Sequence, residues 1–146
     1  MKKTSILFIS ALVLGITFAS CSKDNLPTVS ASIEGKWNFN KTSFTQSGIT
    51  TPEVDYSGNQ AGCSKDYIDI IAGGVVNSGN YVSGCTLVPD TGTWTQTGNN
   101  VTVSVPSISM TGTFEVVSLT TTELKLKITT TQNGVTFTIN QSFTKA

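Results

Sequence analysis

The sequence has 146 residues, with nine basic and nine acidic side chains, and it contains neither histidine nor arginine. A nucleic-acid-binding surface needs clustered lysine and arginine to neutralise phosphates, and this chain has no such cluster. Because histidine is absent, Ser-His catalysis is excluded, and a zinc site lacks one of its usual ligands. We therefore expect no nucleic-acid partner, no metal and no other cofactor.

The first twenty residues have the pattern of a secretory signal. Lys2 and Lys3 precede an apolar run at 6–19, and small residues follow it. A basic region, an apolar region of about 7–15 residues and small residues at the cleavage point are the three parts of such a signal. A transmembrane helix, the alternative, needs about 20 apolar residues, and the run ends before that length. We expect residues 1–20 to be a signal peptide that is removed on export.

Cys21 follows that signal directly. The stretch FASC at 18–21 resembles a bacterial lipobox, in which the cysteine becomes the first mature residue and is acylated, commonly with palmitate, on sulfur and nitrogen. More than one acyl chain is needed for stable anchoring. The following SKDN at 22–25 resembles the charged tag of Bacteroidetes lipoproteins. These resemblances imply an anchor in the outer membrane, with the cell surface as one destination; a coincidental cysteine is the alternative.

Two further cysteines, Cys63 and Cys85, remain in the mature chain. An even pair in an exported protein indicates a disulfide. Closing a loop of about 22 residues is worth roughly 3 kcal/mol of unfolding free energy. A redox pair of free thiols, the alternative, would favour a Cys-x-x-Cys spacing, which is absent. We expect a structural disulfide.

We expect the mature chain to begin with the acylated Cys21 and a flexible tether at 21–33, and to continue as one β domain at 34–146. Alternation of apolar with polar residues predicts eight strands in the domain; they lie near 36–40, 66–72, 75–82, 91–97, 100–105, 109–118, 123–130 and 135–143. The segments 46–65 and 84–90 are predicted to be connections without a strand.

The last two strands show the alternation most clearly. Leu124, Leu126 and Ile128 face one way, and Lys125 and Lys127 face the other. One face is therefore apolar and the other solvated. Eight consecutive strands joined by short turns predict an all-β, eight-stranded up-and-down barrel. A two-sheet β-sandwich is the alternative, but it more often needs long crossovers.

Several motifs resemble the lipocalin-like domain of Bacteroidetes lipoproteins. They are GKW at 35–37, CSKDYIDI at 63–70, GC at 84–85, DTGTWTQTGNNVTV at 90–103 and FEVVSLTTTELKLKIT at 114–129. The resemblance covers about 110 residues and implies a lipocalin-like barrel. Lipocalins commonly pack an arginine across the opening tryptophan, here Trp37. Lysine could take that place only in part, because it lacks the flat guanidinium group.

An eight-stranded barrel is either filled by its own side chains or holds one small ligand. The first hypothesis is a binding module with a small hydrophobic ligand among the expected interior residues Trp37, Phe39, Ile70, Trp94, Phe114, Val116, Leu126, Phe137 and Ile139. The second is a non-catalytic surface module, whose barrel is filled and whose loop at 46–65 contacts a partner.

We expect no catalysis. Asp66 and Asp69 form one candidate carboxylate pair, but positions three apart on a strand point to opposite faces. Glu53 and Asp55 form another, but they lie in the polar loop, where a solvated surface is the simpler interpretation.

Overall fold

The computed structural model describes residues 31–106 and 110–146. The described chain forms ten strands and one 3₁₀ turn at Ser83–Cys85. The strands are β1 (Gly35–Gln46), β2 (Ile49–Thr50), β3 (Val54–Asp55), β4 (Tyr67–Ile71), β5 (Val75–Val82), β6 (Thr86–Thr97), β7 (Asn100–Val105), β8 (Met110–Leu119), β9 (Glu123–Gln132) and β10 (Val135–Lys145). The predicted signal peptide, Cys21 and most of the predicted tether lie outside the described residues.

The eight long strands close into one antiparallel barrel. From β4 to β10 each strand pairs with the next along the chain, and β1 pairs with β4 on one side and β10 on the other. The β1–β10 pairing runs from Trp37–Lys145 to Gln46–Phe137. This closure confirms the predicted up-and-down barrel and excludes the two-sheet sandwich.

The two ends of the barrel differ in how the chain covers them. We call the end at which β1 begins the closed end and the end at which β1 finishes the open end. Tight turns join β4 to β5, β6 to β7 and β8 to β9 at the closed end. The long β1–β4 connection lies at the open end, and β2 and β3 within it pair back onto β1.

Both segments predicted as connections contain strand, which corrects the sequence prediction. The segment 46–65 contains the two short strands β2 and β3. The segment predicted as a connection at 84–90 enters β6 at Thr86, after a one-turn 3₁₀ helix. Residues 86–89 are all exposed. The sequence therefore shows no alternation of buried apolar with exposed polar residues at this part of β6. The first strand also continues to Gln46, because its polar second half pairs with β10 through the backbone.

The closed end is densely packed around Trp37. The indole Nε1 donates a hydrogen bond to the carbonyl oxygen of Ile33 at 2.7 Å, and Phe143 and Leu124 beside it in the core are also fully buried. The Lys145 Nζ lies 4.1 Å from the centroid of the Trp37 ring. A lysine therefore takes the place where the resemblance leads one to expect an arginine, and it contributes a cation–π contact.

Candidate ligand cavity

A cavity of about 230 Å³ lies in the open half of the barrel. Its wall consists of three aromatic rings, a methionine and three aliphatic side chains, with one amide and one threonine: Phe39, Tyr56, Phe114, Met110, Leu126, Ile128, Ile139, Gln141 and Thr111. None of these side chains carries a charge. The cavity therefore suits an uncharged, apolar group of limited size.

Most residues of this wall are placed there by the alternation of inward-facing and outward-facing side chains along the strands. On β10, Phe143, Gln141 and Ile139 point inward, as the sequence predicts; Phe143 belongs to the packed core, and the other two reach the cavity. On β8 the inward position between Met110 and Phe114 is Gly112, which fills no space. A Cβ placed there would lie 3.0 Å from the Cδ1 atom of Ile128. The Ile128 side chain therefore occupies the space beside Gly112, and a larger residue at position 112 would displace it.

Gln141 is held rigidly at a β-bulge. The β1–β10 register shifts between Phe39 and Lys41. The Gln141 Nε2 donates to the carbonyl oxygens of Lys41 and Ser142, at 3.0 and 2.9 Å. Its Oε1 accepts a hydrogen bond of 2.6 Å from the Thr42 hydroxyl. Both amide hydrogens are thus used within the protein, so Gln141 shapes the wall and offers a ligand at most an acceptor.

Tyr56 closes one side of the cavity from the long β1–β4 connection. Its ring stacks on Phe39 with centroids 4.5 Å apart and an interplanar angle of 22°. Its backbone N–H donates to the carbonyl oxygen of Asn40 at 2.8 Å. Offset-stacked aromatic rings contribute beyond their buried area. Tyr56 therefore lies over the cavity as a fixed part of its wall.

The segment carrying Tyr56 is fastened to the barrel on both sides of that residue. Before it, the Asp55 carboxylate pairs with the Lys41 Nζ at 3.0 Å. After it, the Asn59 Nδ2 donates to the carbonyl oxygen of Phe39 at 3.0 Å, and the Asn59 Oδ1 accepts from the Asp66 N–H at 2.9 Å. A loop with such attachments is part of the site rather than slack between strands.

The disulfide supplies a further attachment. Cys63 and Cys85 are bonded, with their Cα atoms 5.2 Å apart, as the sequence predicts. The bond joins the end of the β1–β4 connection to the turn before β6. It therefore ties together two neighbouring connections at the open end.

The structure separates the predicted ligand-binding residues into two groups. Phe39 and Phe114 line the cavity, together with Leu126 and Ile139 from the wider set of expected interior residues. Trp37 and Ile70 do not line it, because they are packed into the core with 0% and 1% exposure.

Three other members of the expected interior also lie outside the lining. The Trp94 Nε1 donates to the carbonyl oxygen of Ile71 at 2.8 Å near the closed end. Phe137 is partly exposed and lies beyond Ile139 on β10. Val116 is partly buried and packs against the core cluster.

The expected ligand-binding set omitted five of the lining residues: Tyr56, Met110, Thr111, Ile128 and Gln141. Tyr56 is the only aromatic residue in the polar segment 46–65, and this isolation is the signal that could have identified it. Met110 begins β8 and lies on the same buried face of that strand as Phe114, four residues later.

Buried polar groups lie on the β4–β5 wall of the barrel. Asp66, which is 3% exposed, accepts a hydrogen bond of 2.7 Å from the Tyr81 N–H through its Oδ1. Burial raises the pKa of the Asp66 carboxyl, and the Tyr81 hydrogen bond opposes that shift. Burial, and then the negative charge of Asp66, raise the pKa of Tyr56. Ser78 is 1% exposed, and its Oγ has no hydrogen-bond partner within the described part of the chain.

The candidate carboxylate pairs do not converge. Asp69 lies between the buried Ile68 and Ile70, so it faces outward while Asp66 faces inward. Glu53 instead pairs with Lys125 at 3.6 Å.

Residues 31–106 and 110–146 contain no group of three or more cysteines or carboxylates arranged to hold a metal ion. Over the same residues, no helix has the length and apolar character required to cross a membrane.

The family model of the lipocalin-like domain matches residues 33–126, which is more than half of the chain. This chain belongs to the lipocalin-like domain family. The match includes seven of the eight barrel strands in whole or in part, and it includes the lining residues from Phe39 to Leu126. No curated protein matches the chain.

Solved structures of this fold are similar to the chain at low sequence identity. A lipocalin-like protein from Bacteroides uniformis is 16% identical, with a TM-score of 0.52, over 77% of this chain and 97% of that protein. Lobster apocrustacyanin A1 is 11% identical, with a TM-score of 0.53, over 77% of this chain and 60% of that protein. Apocrustacyanin C1 is 11% identical, with a TM-score of 0.54, over 77% of this chain and 60% of that protein. At such identities the likeness shows the fold alone.

Proposed function

We propose that this chain is an exported lipoprotein, held at the outer membrane by acyl chains on Cys21, whose barrel binds a small hydrophobic molecule. The observation that carries the binding role is the uncharged, aromatic-lined cavity of about 230 Å³ at the open end. Its family is related to the ligand-binding lipocalins.

The size of the cavity limits the ligand. A 150 Å³ apolar cavity in a protein core holds benzene, and pockets for drug-sized ligands occupy about 300–1,000 Å³. The present cavity lies between the two. It suits a compound of one or two rings, whereas a long-chain fatty acid would extend beyond it. Aromatic ligands are also favoured by the rings of Phe39, Tyr56 and Phe114, which offer both faces and edges for contact.

Binding of indole to the purified full chain tests this role by isothermal titration calorimetry. We expect saturable binding that Ile139→Trp weakens by about tenfold or more, because the larger ring fills the cavity. Val117→Trp is the matched control, since Val117 is 55% exposed on the barrel exterior, and it should leave the affinity unchanged. Absence of indole binding, or equal loss in both variants, would contradict the proposed cavity.

The anchoring part of the proposal is supported by the signal-like pattern of residues 1–20 and by the FASC stretch that ends at Cys21. In cells fed with radiolabelled palmitate, we expect the label on the wild-type chain and on Ser22→Ala, and its loss in Cys21→Ser. Label retained in Cys21→Ser would refute anchoring through this residue.

A second candidate function, contact with a partner protein, is favoured by apolar side chains exposed at the open end. Phe44, Ile49 and Val54 are 49%, 76% and 56% exposed, respectively. They lie on β1, β2 and β3. If indole does not bind and the open end proves to be filled, this surface becomes the preferred functional region.

A further inference from the structure

The wall of the cavity comes almost entirely from one part of the sheet. Of the nine described residues that line it, eight lie on β8, β9, β10 and β1, which are neighbours in the barrel. The backbone hydrogen bonds between these strands hold their side chains at fixed positions. The ninth lining residue, Tyr56, comes from the β1–β4 connection. Within the described part of the chain, Tyr56 is thus the one lining residue that no barrel strand holds in place.

The backbone of Tyr56 is nevertheless fixed. Its N–H donates to the carbonyl oxygen of Asn40 at 2.8 Å, and its own carbonyl oxygen accepts from the Asn59 N–H at 3.2 Å. Residues 56–59 therefore form a tight turn that is fastened to β1. While this turn is intact, the Tyr56 ring can leave Phe39 only by rotation of its side chain into another rotamer.

Gly58, inside the same turn, leaves room for the Tyr56 ring. A Cβ atom on Gly58 would lie 2.7 Å from the Tyr56 Cζ atom and 2.8 Å from the phenol oxygen, closer than real Cβ atoms come to a neighbour. The φ angle of Gly58 is not in the left-handed region. Alanine could therefore adopt this backbone, and its methyl group would displace the Tyr56 ring rather than the chain.

Tyr56 also borders a second, polar cleft of about 310 Å³. Its other lining residues are mostly polar and come from β1 and the β1–β4 connection: Asn40, Asp55, Asn59, Gln60, Ala61, Cys63 and Lys65. Tyr56 is the one described residue that lines both this cleft and the apolar cavity. Its side chain therefore forms the common wall of the two spaces.

We propose that Tyr56 determines the size of the ligand that the barrel accepts, and that Gly58 is the positioning residue that keeps the Tyr56 ring on Phe39. With the ring in place, the cavity accepts a compound of one or two fused rings. With the ring displaced, the cavity extends into the polar cleft and accepts a larger compound. This inference rests on the proposed binding function and adds the residues that set its specificity.

Indole and 2-phenylindole form a matched pair of probes, because the second compound adds one ring to the first. The Kd of indole is measured by calorimetry and that of 2-phenylindole by its own fluorescence, both on the purified full chain. In Gly58→Ala we expect the affinity for indole to fall by about two- to tenfold, since the ligand loses the Tyr56 ring as an aromatic neighbour. The affinity for 2-phenylindole should rise, because the cavity is larger.

Three further variants locate the effect. Tyr56→Ala removes the ring itself and should change the two affinities in the same directions as Gly58→Ala. Tyr56→Phe keeps the ring without the hydroxyl and should retain the preference for indole. Ser57→Ala is the matched control for Gly58→Ala, because Ser57 is an exposed neighbour in the same turn, and it should leave both affinities unchanged.

The outcomes separate this inference from the proposed function. A merely structural role of Gly58 predicts that both affinities fall together. Such a parallel fall, or an unchanged preference in Gly58→Ala, would overturn the size-setting role and leave the hydrophobic cavity intact. Binding of neither compound to the wild-type chain would contradict both proposals. If Gly58→Ala does not fold, as judged by circular dichroism, Tyr56→Ala decides by the same criterion.

Discussion

The closed and open ends of the barrel are built from the same alternating pattern and yet pack differently. At the closed end Trp37, Leu124 and Phe143 are all 0% exposed. At the open end Ile139 is partly exposed and borders a cavity. What differs is the cover. Ile33 packs beneath the core at the closed end, whereas a polar loop covers the open end.

This difference shows that alternation determines which side chains point inward, but the covering segment determines how fully they are buried. Interiors reach crystal-like density only where side chains meet on all sides. The single ring of Tyr56 covers the open end only in part. The closed end therefore supplies stability, and the open end retains room for a ligand.

The largest expected effect comes from breaking the closed end. Trp37→Ala should lower the free energy of unfolding by about 3–5 kcal/mol, because it removes a fully buried ring and leaves a void. Phe44→Ala is the matched change at the open end and should cost less than about 1 kcal/mol, since half of that ring is already in solvent. Chemical denaturation measures both. Similar losses would mean that the two ends are packed alike.

The second effect concerns the attachment of the open-end connections. The double variant Cys63→Ser, Cys85→Ser should lower the free energy of unfolding by roughly 3 kcal/mol through the freed loop. Indole affinity should fall as well, because the segment carrying Tyr56 loses one attachment. Ser83→Ala, next to the bridge, serves as the control in both measurements. Full stability of the double variant in denaturant would contradict a structural role for the disulfide.

A smaller effect, of opposite sign, is expected at Ser78. Ser78→Ala removes a buried hydroxyl that lacks a partner within the described residues, so stability should increase by about 1 kcal/mol in the absence of ligand. Asn77→Ala, on the outward face of β5, provides the comparison and should change stability little. A loss of stability in Ser78→Ala would show that the hydroxyl has a stabilising partner in the free protein.

The smallest effect is the pH dependence introduced by Asp66. Because burial raises the pKa of this carboxyl, the folded state binds its proton more tightly than the unfolded state does. Its ionisation therefore destabilises the fold at neutral pH, and this penalty is removed as the pH falls through the raised pKa toward the unfolded value.

Asp66→Asn should abolish that component, whereas Asp69→Asn should leave it in place. The difference between wild-type and variant unfolding free energies, measured between neutral and acidic pH, isolates the effect. A wild-type advantage over Asp66→Asn that grows as the pH rises toward neutral would give the opposite sign and contradict the assignment.

The strands that could be predicted are those with one buried and one exposed face. In β9, Leu124 and Leu126 alternate with Lys125 and Lys127, and the sequence therefore shows both the strand and its inner face. The first four residues of β6 could not be predicted in this way, because the side chains on both faces of the strand are exposed there. The number of strands and the short turns between them favoured a closed barrel over a sandwich, and the family resemblance supported that choice.

The candidate site could be predicted only in part. Phe39 and Phe114 follow from alternation, but alternation gives the same inward direction to Trp37, which belongs to the packed core. Whether an inward side chain meets a neighbour or a void depends on residues that are distant in the sequence, such as Tyr56, whose ring covers the cavity. Those relations arise from closure of the barrel, and a linear pattern does not contain them.

The most direct test of the central claim is a titration of the isotope-labelled protein with indole, followed by amide chemical shifts. We predict that the chemical-shift changes will concentrate at the open end, around Tyr56, Phe114 and Ile139. The amide shifts of Trp37 and Ile70 at the closed end should stay unchanged. Shifts centred on the closed end, or no saturable shifts at all, would contradict a barrel that is packed at one end and receptive at the other.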